Sequence, residues 1–182
     1  PEAASVLHQL HKLGIRNTVM MTGDSYRTAE AIAKQVGVDQ FYAEVLPEDK
    51  ANFVQKEKAA GHTVVMIGDG INDSPALSAA DIGIAINSGA AIAREIADVT
   101  IKADSLEELV FLKTVANALQ HRVSANYRFV LSFNSTLILL GALGILQPAA
   151  SAMLHNLSTL GISLKSMTNL VQTPSSVPQI AK

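Results

Sequence analysis

From Phe129 to Leu164 the sequence holds no Asp, Glu, Lys or Arg. So long an uncharged run is rare in water-soluble folds, and it limits this half of the chain to a hairpin of apolar helices. Gln147-Pro148 interrupts the run near its middle. The first half, Phe129 to Leu146, is long enough to cross a bilayer; the second, Ala149 to about Leu170, is long enough but more polar. Arg122, Arg128, Lys165 and Lys182 flank the open end, and the turn is uncharged. The positive-inside rule then puts both open ends on the cytoplasmic side. The expectation is a connecting helix over 106–128, a transmembrane helix hairpin over 129–170 and a disordered cytoplasmic tail over 171–182, where Pro and Ser are frequent. A buried hairpin in a soluble protein is the alternative.

Residues 1–105 read differently. Short β-branched runs alternate with amphipathic stretches. Thr18–Met21, Phe41–Ala43, Val64–Ile67, Ile82–Ile86 and Val99–Ile101 are expected strands. Helices are expected around Leu7–Leu13 and over Ser25–Val36, Pro47–Ala60, Ser74–Ala79 and Ala90–Ala97. The second of these carries Ala29, Ile32, Ala33 and Val36 on one face. Such alternation predicts an α/β domain with a parallel sheet. The net charge of −2 argues against a nucleic-acid partner, and the absence of Cys removes disulfides and thiolate metal sites from these residues. The sequence opens on Pro1-Glu2-Ala3-Ala4, inside what reads as a helix, so it is expected to be cut from a longer protein, a processed N-terminus being the alternative.

Chemistry-bearing residues gather where strands end. Gly68-Asp69-Gly70-Ile71-Asn72-Asp73 follows the Val64–Ile67 strand, and ligands of open α/β sheets collect at the carboxyl ends of strands. Asp69 is placed to hold Mg²⁺ through hard carboxylate oxygen. Asn72 and Asp73 lie one turn further on. Thr22-Gly23-Asp24 ends the Thr18–Met21 strand in the equivalent place, offering a hydroxyl and a backbone N–H to phosphate oxygens. Lys50, early in the helix after Pro47, supplies a cation against developing negative charge. Singly, each has a bland reading: a turn-forming or capping Asp, or a solvated Lys. Together they make a long and specific pattern.

That pattern, with Ala79-Ala80-Asp81-Ile82-Gly83-Ile84-Ala85 and Ala97-Asp98-Val99, resembles the second half of the phosphorylation domain of P-type ATPases, a branch of the haloacid-dehalogenase-like fold. The resemblance covers all but the tail and is nearest to the heavy-metal-transporting, CPx-type group. It implies that Asp69 ligates Mg²⁺, that Thr22 and Gly23 contact the phosphoryl group, that Lys50 stabilises it and pairs with Asp73, that Asn72 bonds in the same site, and that Asp24 orients nucleotide or Mg²⁺. It also implies ATP as the phosphoryl donor. One departure is large. The family's nucleophile, the Asp of an Asp-Lys-Thr-Gly-Thr motif, does not occur in this sequence. The chain alone is therefore expected to be inactive.

In the uncharged run His155 and Thr159 share a helix face, and Asn134 lies in the other half of the hairpin. An ionisable side chain inside a bilayer is a functional candidate, and imidazole suits divalent transition metals. The stretch His155-Asn156-Leu157-Ser158-Thr159 resembles the His-x-x-x-Thr pattern of the cobalt and divalent-metal subgroup, with Asn and Leu where Glu and Gly are usual. His155, Thr159 and Asn134 are the expected metal set. The resulting expectation is part of a multi-pass plasma-membrane transporter that couples ATP hydrolysis, through an aspartyl-phosphate, to export of a divalent transition metal. Its partners would be the remainder of the pump (actuator and nucleotide-binding domains, other transmembrane helices) and the lipid bilayer. The alternatives are a soluble haloacid-dehalogenase-like phosphatase or a non-catalytic fragment that binds a partner pump.

Overall fold

Proline and glycine punctuate the first half as the sequence reading requires. Pro47 occupies the first turn of its helix, where its missing N–H costs nothing. Gly37 ends the preceding helix at φ 79°, a left-handed conformation that side chains resist, and its N–H donates to the Ala33 carbonyl. The computed structural model describes residues 2–68, 72–86, 95–101 and 106–170. They fall into two units, Pro1–Lys113 and Thr114–Lys182.

In chain order the first unit runs α1 (Glu2–Lys12), β1 (Val19–Met21), α2 (Tyr26–Val36), β2 (Gln40–Tyr42), α3 (Pro47–Ala59), β3 (Val65–Gly68), α4 (Ser74–Ala79), β4 (Ile82–Ile86), β5 (Val99–Ile101) and the first turns of α5 (Glu107–Ala142). All strand pairing is parallel, as expected. β1 pairs with β2, Val19 opposite Gln40; β3 pairs with β4, Val65 opposite Ile82; and β4 pairs with β5, Ile84 opposite Val99. The one expected sheet is instead two, of two and three strands, because no strand among the described residues bonds β1 to β3. Helix α3 holds to both: Phe53 lies 5.2 Å from Tyr42 of β2, and Lys58 bonds the Ala79 carbonyl at 2.8 Å and Asp81 at 3.2 Å.

The core of this unit is Val6 and Leu10 of α1, Ile84, Ile101 and Leu109. Helix α2 buries Ala29 and Ala33, but Ile32 of the expected apolar face is exposed. Each crossover is closed by a carboxylate at the amino end of the strands. Asp39, before β2, accepts the Thr18 N–H at 2.7 Å; Asp81, before β4, accepts the Val64 N–H at 2.8 Å; Asp98, before β5, accepts the Gly83 N–H at 2.8 Å.

In the second unit, α5 continues to Ala142 and α6 (Pro148–Ser166) follows the turn, with Pro148 in its first turn. The expected helix boundary at 128–129 is absent. Only the charge pattern changes there, and no Gly or Pro breaks the helix. Helices form on both sides of Gln147, as expected, but no helix among the described residues is long and apolar enough to cross a membrane. What the structure shows over these residues is a helical hairpin. Ser132, Asn134, Ser135 and Thr136 in α5, and His155, Asn156, Ser158, Thr159 and Ser163 in α6, dilute what would be the apolar centres of two spans. Leu137 is buried, whereas Ile138, Leu143, Met153, Leu157 and Leu160 are exposed. Arg122 of α5 closes the open end: its guanidinium donates to the carbonyls of Ser166 (3.3 Å), Thr168 (2.6 Å) and Asn169 (3.0 Å). The expected tail, 171–182, and most of the expected helix Ala90–Ala97 lie outside the described residues.

Candidate active site

Lys50 sits one turn into α3, its backbone N–H bonded to the Leu46 carbonyl at 3.2 Å. That placement sends its ammonium to Asp73, where Nζ donates to Oδ1 at 2.7 Å. The side chains are only 14% and 12% exposed, so the pair is largely desolvated and neither charge is left without its partner. Asp73 caps α4, with its carbonyl accepting the Leu77 N–H at 2.8 Å. It fits because the last residue of β3 is glycine: a Cβ on Gly68 would lie 2.5 Å from Asp73 Oδ2 and 2.7 Å from its Cβ. A glycine at a strand end lets the chain turn. Its larger contribution is the space it leaves for the carboxylate.

At the end of β1, Thr22 Oγ1 donates to Asp24 Oδ2 at 2.7 Å, and the Asp24 N–H donates back to Thr22 Oγ1 at 3.2 Å. The loop is pinned from below: the Val45 N–H bonds the Thr22 carbonyl (3.0 Å) and the Glu44 N–H bonds the Asp24 carbonyl (2.9 Å). Glu44 takes φ 56° to do so. Gly23 is exposed between them, and Asn72 is exposed beside Asp73. The structure thus joins Lys50 with Asp73 and Thr22 with Asp24. Among the described residues no hydrogen bond joins the two pairs. Asp69 lies outside the described residues.

In the hairpin, His155 and Asn134 meet: His155 Nδ1–H donates to Asn134 Oδ1 at 2.9 Å. A carboxamide oxygen only accepts, so the proton sits on Nδ1 and the Nε2 lone pair is left for another partner. Thr159 is less available than expected, because its hydroxyl donates to the His155 carbonyl at 3.1 Å. Among the described residues no group of three or more His, Cys, Asp or Glu could hold a metal ion. Two structural roles were missed by sequence reasoning. Asp39, Asp81 and Asp98 each stand immediately before a strand, a signal that was present. Nothing in the sequence marks Arg122 as the clasp of the hairpin.

The arrangement can be set beside known proteins. A family model described as haloacid dehalogenase-like hydrolase matches residues 1–81. The crystal structure of a zinc-transporting PIB-type ATPase in the E2.Pi state superposes with a TM-score of 0.79 at 33% identity, covering 90% of this chain and 26% of that one. The α/β unit has the haloacid dehalogenase-like fold. Helix-flanked parallel strands with the Lys50–Asp73 and Thr22–Asp24 pairs at their carboxyl ends are how this chain builds that fold. Its curated homologues are metal-transporting P-type ATPases. The chain is 42% identical over 163 residues to a zinc-exporting P-type ATPase of Mycobacterium marinum, covering 89% of itself and 22% of that protein. It is 40% identical over 169 residues to a probable copper-importing P-type ATPase A of Enterococcus hirae, covering 92% of itself and 23% of that protein. The chain thus spans less than a quarter of the length of these relatives.

Proposed function

We propose that this chain is the Mg²⁺-binding half of the phosphorylation domain, with the following helical hairpin, of a heavy-metal-transporting CPx-type P-type ATPase. The observation that carries the reading is the desolvated Lys50–Asp73 pair at the end of β3, in a fold shared with such a pump. In this reading Lys50 neutralises charge at the phosphoryl group of ATP while Asp73 fixes its position. Thr22 and Gly23 grip phosphoryl oxygens, Asn72 bonds in the same site, and Asp24 orients the nucleotide or its metal through the hydroxyl contact with Thr22. Asp69, which follows β3 in the sequence, offers carboxylate oxygen, which suits Mg²⁺, and would hold it. When bound, Mg²⁺ supplies charge neutralisation at the transferring phosphoryl group.

The acceptor Asp comes from the remainder of the pump, so the chain alone does not turn over. Among the described residues no strand pairs with the outer edges of β1 and β3, which supports this, because a further parallel strand could bond there. The α/β unit is cytoplasmic, and the whole pump is a multi-pass membrane protein, in the plasma membrane, with actuator and nucleotide-binding domains. Its cargo is a divalent transition metal moved outward, with His155 as a ligand oriented by Asn134 and assisted by Thr159.

The test is phosphoenzyme formation from ATP in the complete pump. Asp69→Asn should abolish it with the fold intact, whereas the isolated chain should not hydrolyse a small phosphoester in Mg²⁺. Normal phosphoenzyme in the variant removes Asp69 from its role. Turnover by the isolated chain would favour a soluble phosphatase instead.

A further inference from the structure

We propose that the groove between α5 and α6 near the open end of the hairpin binds the headgroup of an anionic phospholipid, with Lys165 as its charge partner. The groove has a volume of about 260 Å³ and is lined by Asn126, Phe129, Ser158, Gly161, Ile162 and Lys165. Its lining joins one cation and two polar side chains to Phe129, Gly161 and Ile162, the pattern that an amphiphile with a charged head fits.

Charge supplies the decisive argument. From Thr114 to Lys182 the sequence has no Asp or Glu, while Arg122, Arg128, Lys165 and Lys182 are basic. No carboxylate side chain of its own unit can therefore neutralise Lys165. Arg122 is already committed to three backbone carbonyls, and among the described residues Lys165 is the cation that lines the groove. Asn126 adds a donor: one amide hydrogen goes to Ser166 Oγ at 3.2 Å, and the other remains for an anion oxygen. In the same lining Phe129 and Ile162 offer an apolar bed for the first carbons of an acyl chain. Gly161 keeps the bed open, since a Cβ there would meet nothing within 4 Å. Leu157, Leu160 and Leu164 are exposed along the same helix, so the surface around the groove is apolar as well. A soluble anion would use the polar lining and leave the bed uncovered; a phospholipid uses both. The inference rests on the hairpin alone and does not require the pump reading.

The experiment is flotation of the purified 182-residue chain with vesicles of phosphatidylcholine, or of phosphatidylcholine mixed with phosphatidylglycerol. Preferential binding to the mixed vesicles is expected. Lys165→Gln should reduce the preference about fivefold, the share of one basic residue near an anionic surface. Gly161→Leu keeps every charge and favours helix, so circular dichroism should be unchanged, yet it fills the groove and should remove the preference. Arg128→Gln, outside the groove, should have the smaller effect. The proposal is overturned if Gly161→Leu binds as the parent does, if Arg128→Gln loses as much as Lys165→Gln, or if the two vesicle types bind equally. Full release by soluble glycerol phosphate would also overturn it, showing a site for a small anion.

Discussion

Gly68 and Asp73 share one volume: a methyl group on the glycine would stand 2.5 Å from the Asp73 carboxylate oxygen and 2.9 Å from its Cγ. The short, branched Asp side chain cannot swing clear without abandoning Lys50. Gly68→Ala should therefore lower the stability of the chain by about 1–3 kcal/mol, the usual cost of overpacking. In the complete pump it should suppress phosphoenzyme formation as strongly as Lys50→Ala does. For stability alone Gly23→Ala is the control, since its nearest neighbour, the Val45 carbonyl oxygen, would be at an ordinary 3.8 Å. Urea unfolding midpoints check the first statement and ³²P incorporation from ATP the second. A Gly68→Ala chain as stable as the parent would show that Asp73 has another place to go.

Acid should loosen the α/β unit by unfastening the strand starts. Asp39 is held below its ordinary carboxyl range by the Thr18 hydroxyl and then by the Thr18 N–H. Asp81 is held down by the Val64 N–H and then by Lys58. Both folded values lie below the unfolded ones, so their contribution is complete above the unfolded value near 4 and fades as pH falls through the folded value. Stability measured by urea unfolding should thus drop below about pH 4. In Asp39→Asn and Asp81→Asn the slope in that range should flatten, because a carboxamide has no proton to gain. An unchanged slope in both variants would remove these carboxylates from the acid response.

Much of this was written in the sequence. The runs Ser74–Ala79, Ile82–Ile86 and Val99–Ile101 carry their elements at the expected residues, because Gly, Pro and Asp punctuate them. Lys50 and Asp73 were expected as a pair from the family pattern, and they meet at 2.7 Å. What was not legible depends on three dimensions. Ile32 keeps helical period with Ala29 and Val36 yet is 39% exposed, since periodicity shows a face but not how far its cover extends. The split sheet follows from pairing partners, which strand propensity does not encode. Hydrophobic length suggested membrane spans at 129–170, but polar side chains spread along both helices lower their apolarity below what a span needs.

His155 tests the cargo reading. With its Nδ1 proton engaged by Asn134, its Nε2 is free to act as a metal donor. In the complete pump, His155→Ala should weaken metal-stimulated ATPase activity while leaving phosphorylation from inorganic phosphate intact. Asn134→Leu should give a loss of about 10- to 100-fold in metal affinity by freeing the ring. Activity titrated with Zn²⁺, Co²⁺, Mn²⁺, Ni²⁺ and Cu⁺ reads both. An unaltered metal profile in a folded His155→Ala pump would show that the imidazole only packs the hairpin.

Arg122 predicts a local effect. Its three carbonyl acceptors lie in and just beyond the last turn of α6. Arg122→Ala should accelerate amide exchange there and leave the turn at 143–147 unchanged. Arg122→Lys should recover little, because an ammonium lacks the planar fork that spans several oxygens. Exchange that rises equally along the whole hairpin would mean the clasp holds the unit together instead of one helix end.

The strand-start aspartates bear on how the α/β unit comes together in time. Their bonds close intervals of 21, 17 and 15 residues, each linking a strand to the next one in the chain. Parallel sheets usually assemble slowly because distant segments must find one another. Here every pairing is between sequence neighbours, so the entropy of closing each loop is small and each step can be fastened before the next strand is added. The two sheets should therefore form as separate, rapid zippering events. Docking of α3 across both would be the later and slower step.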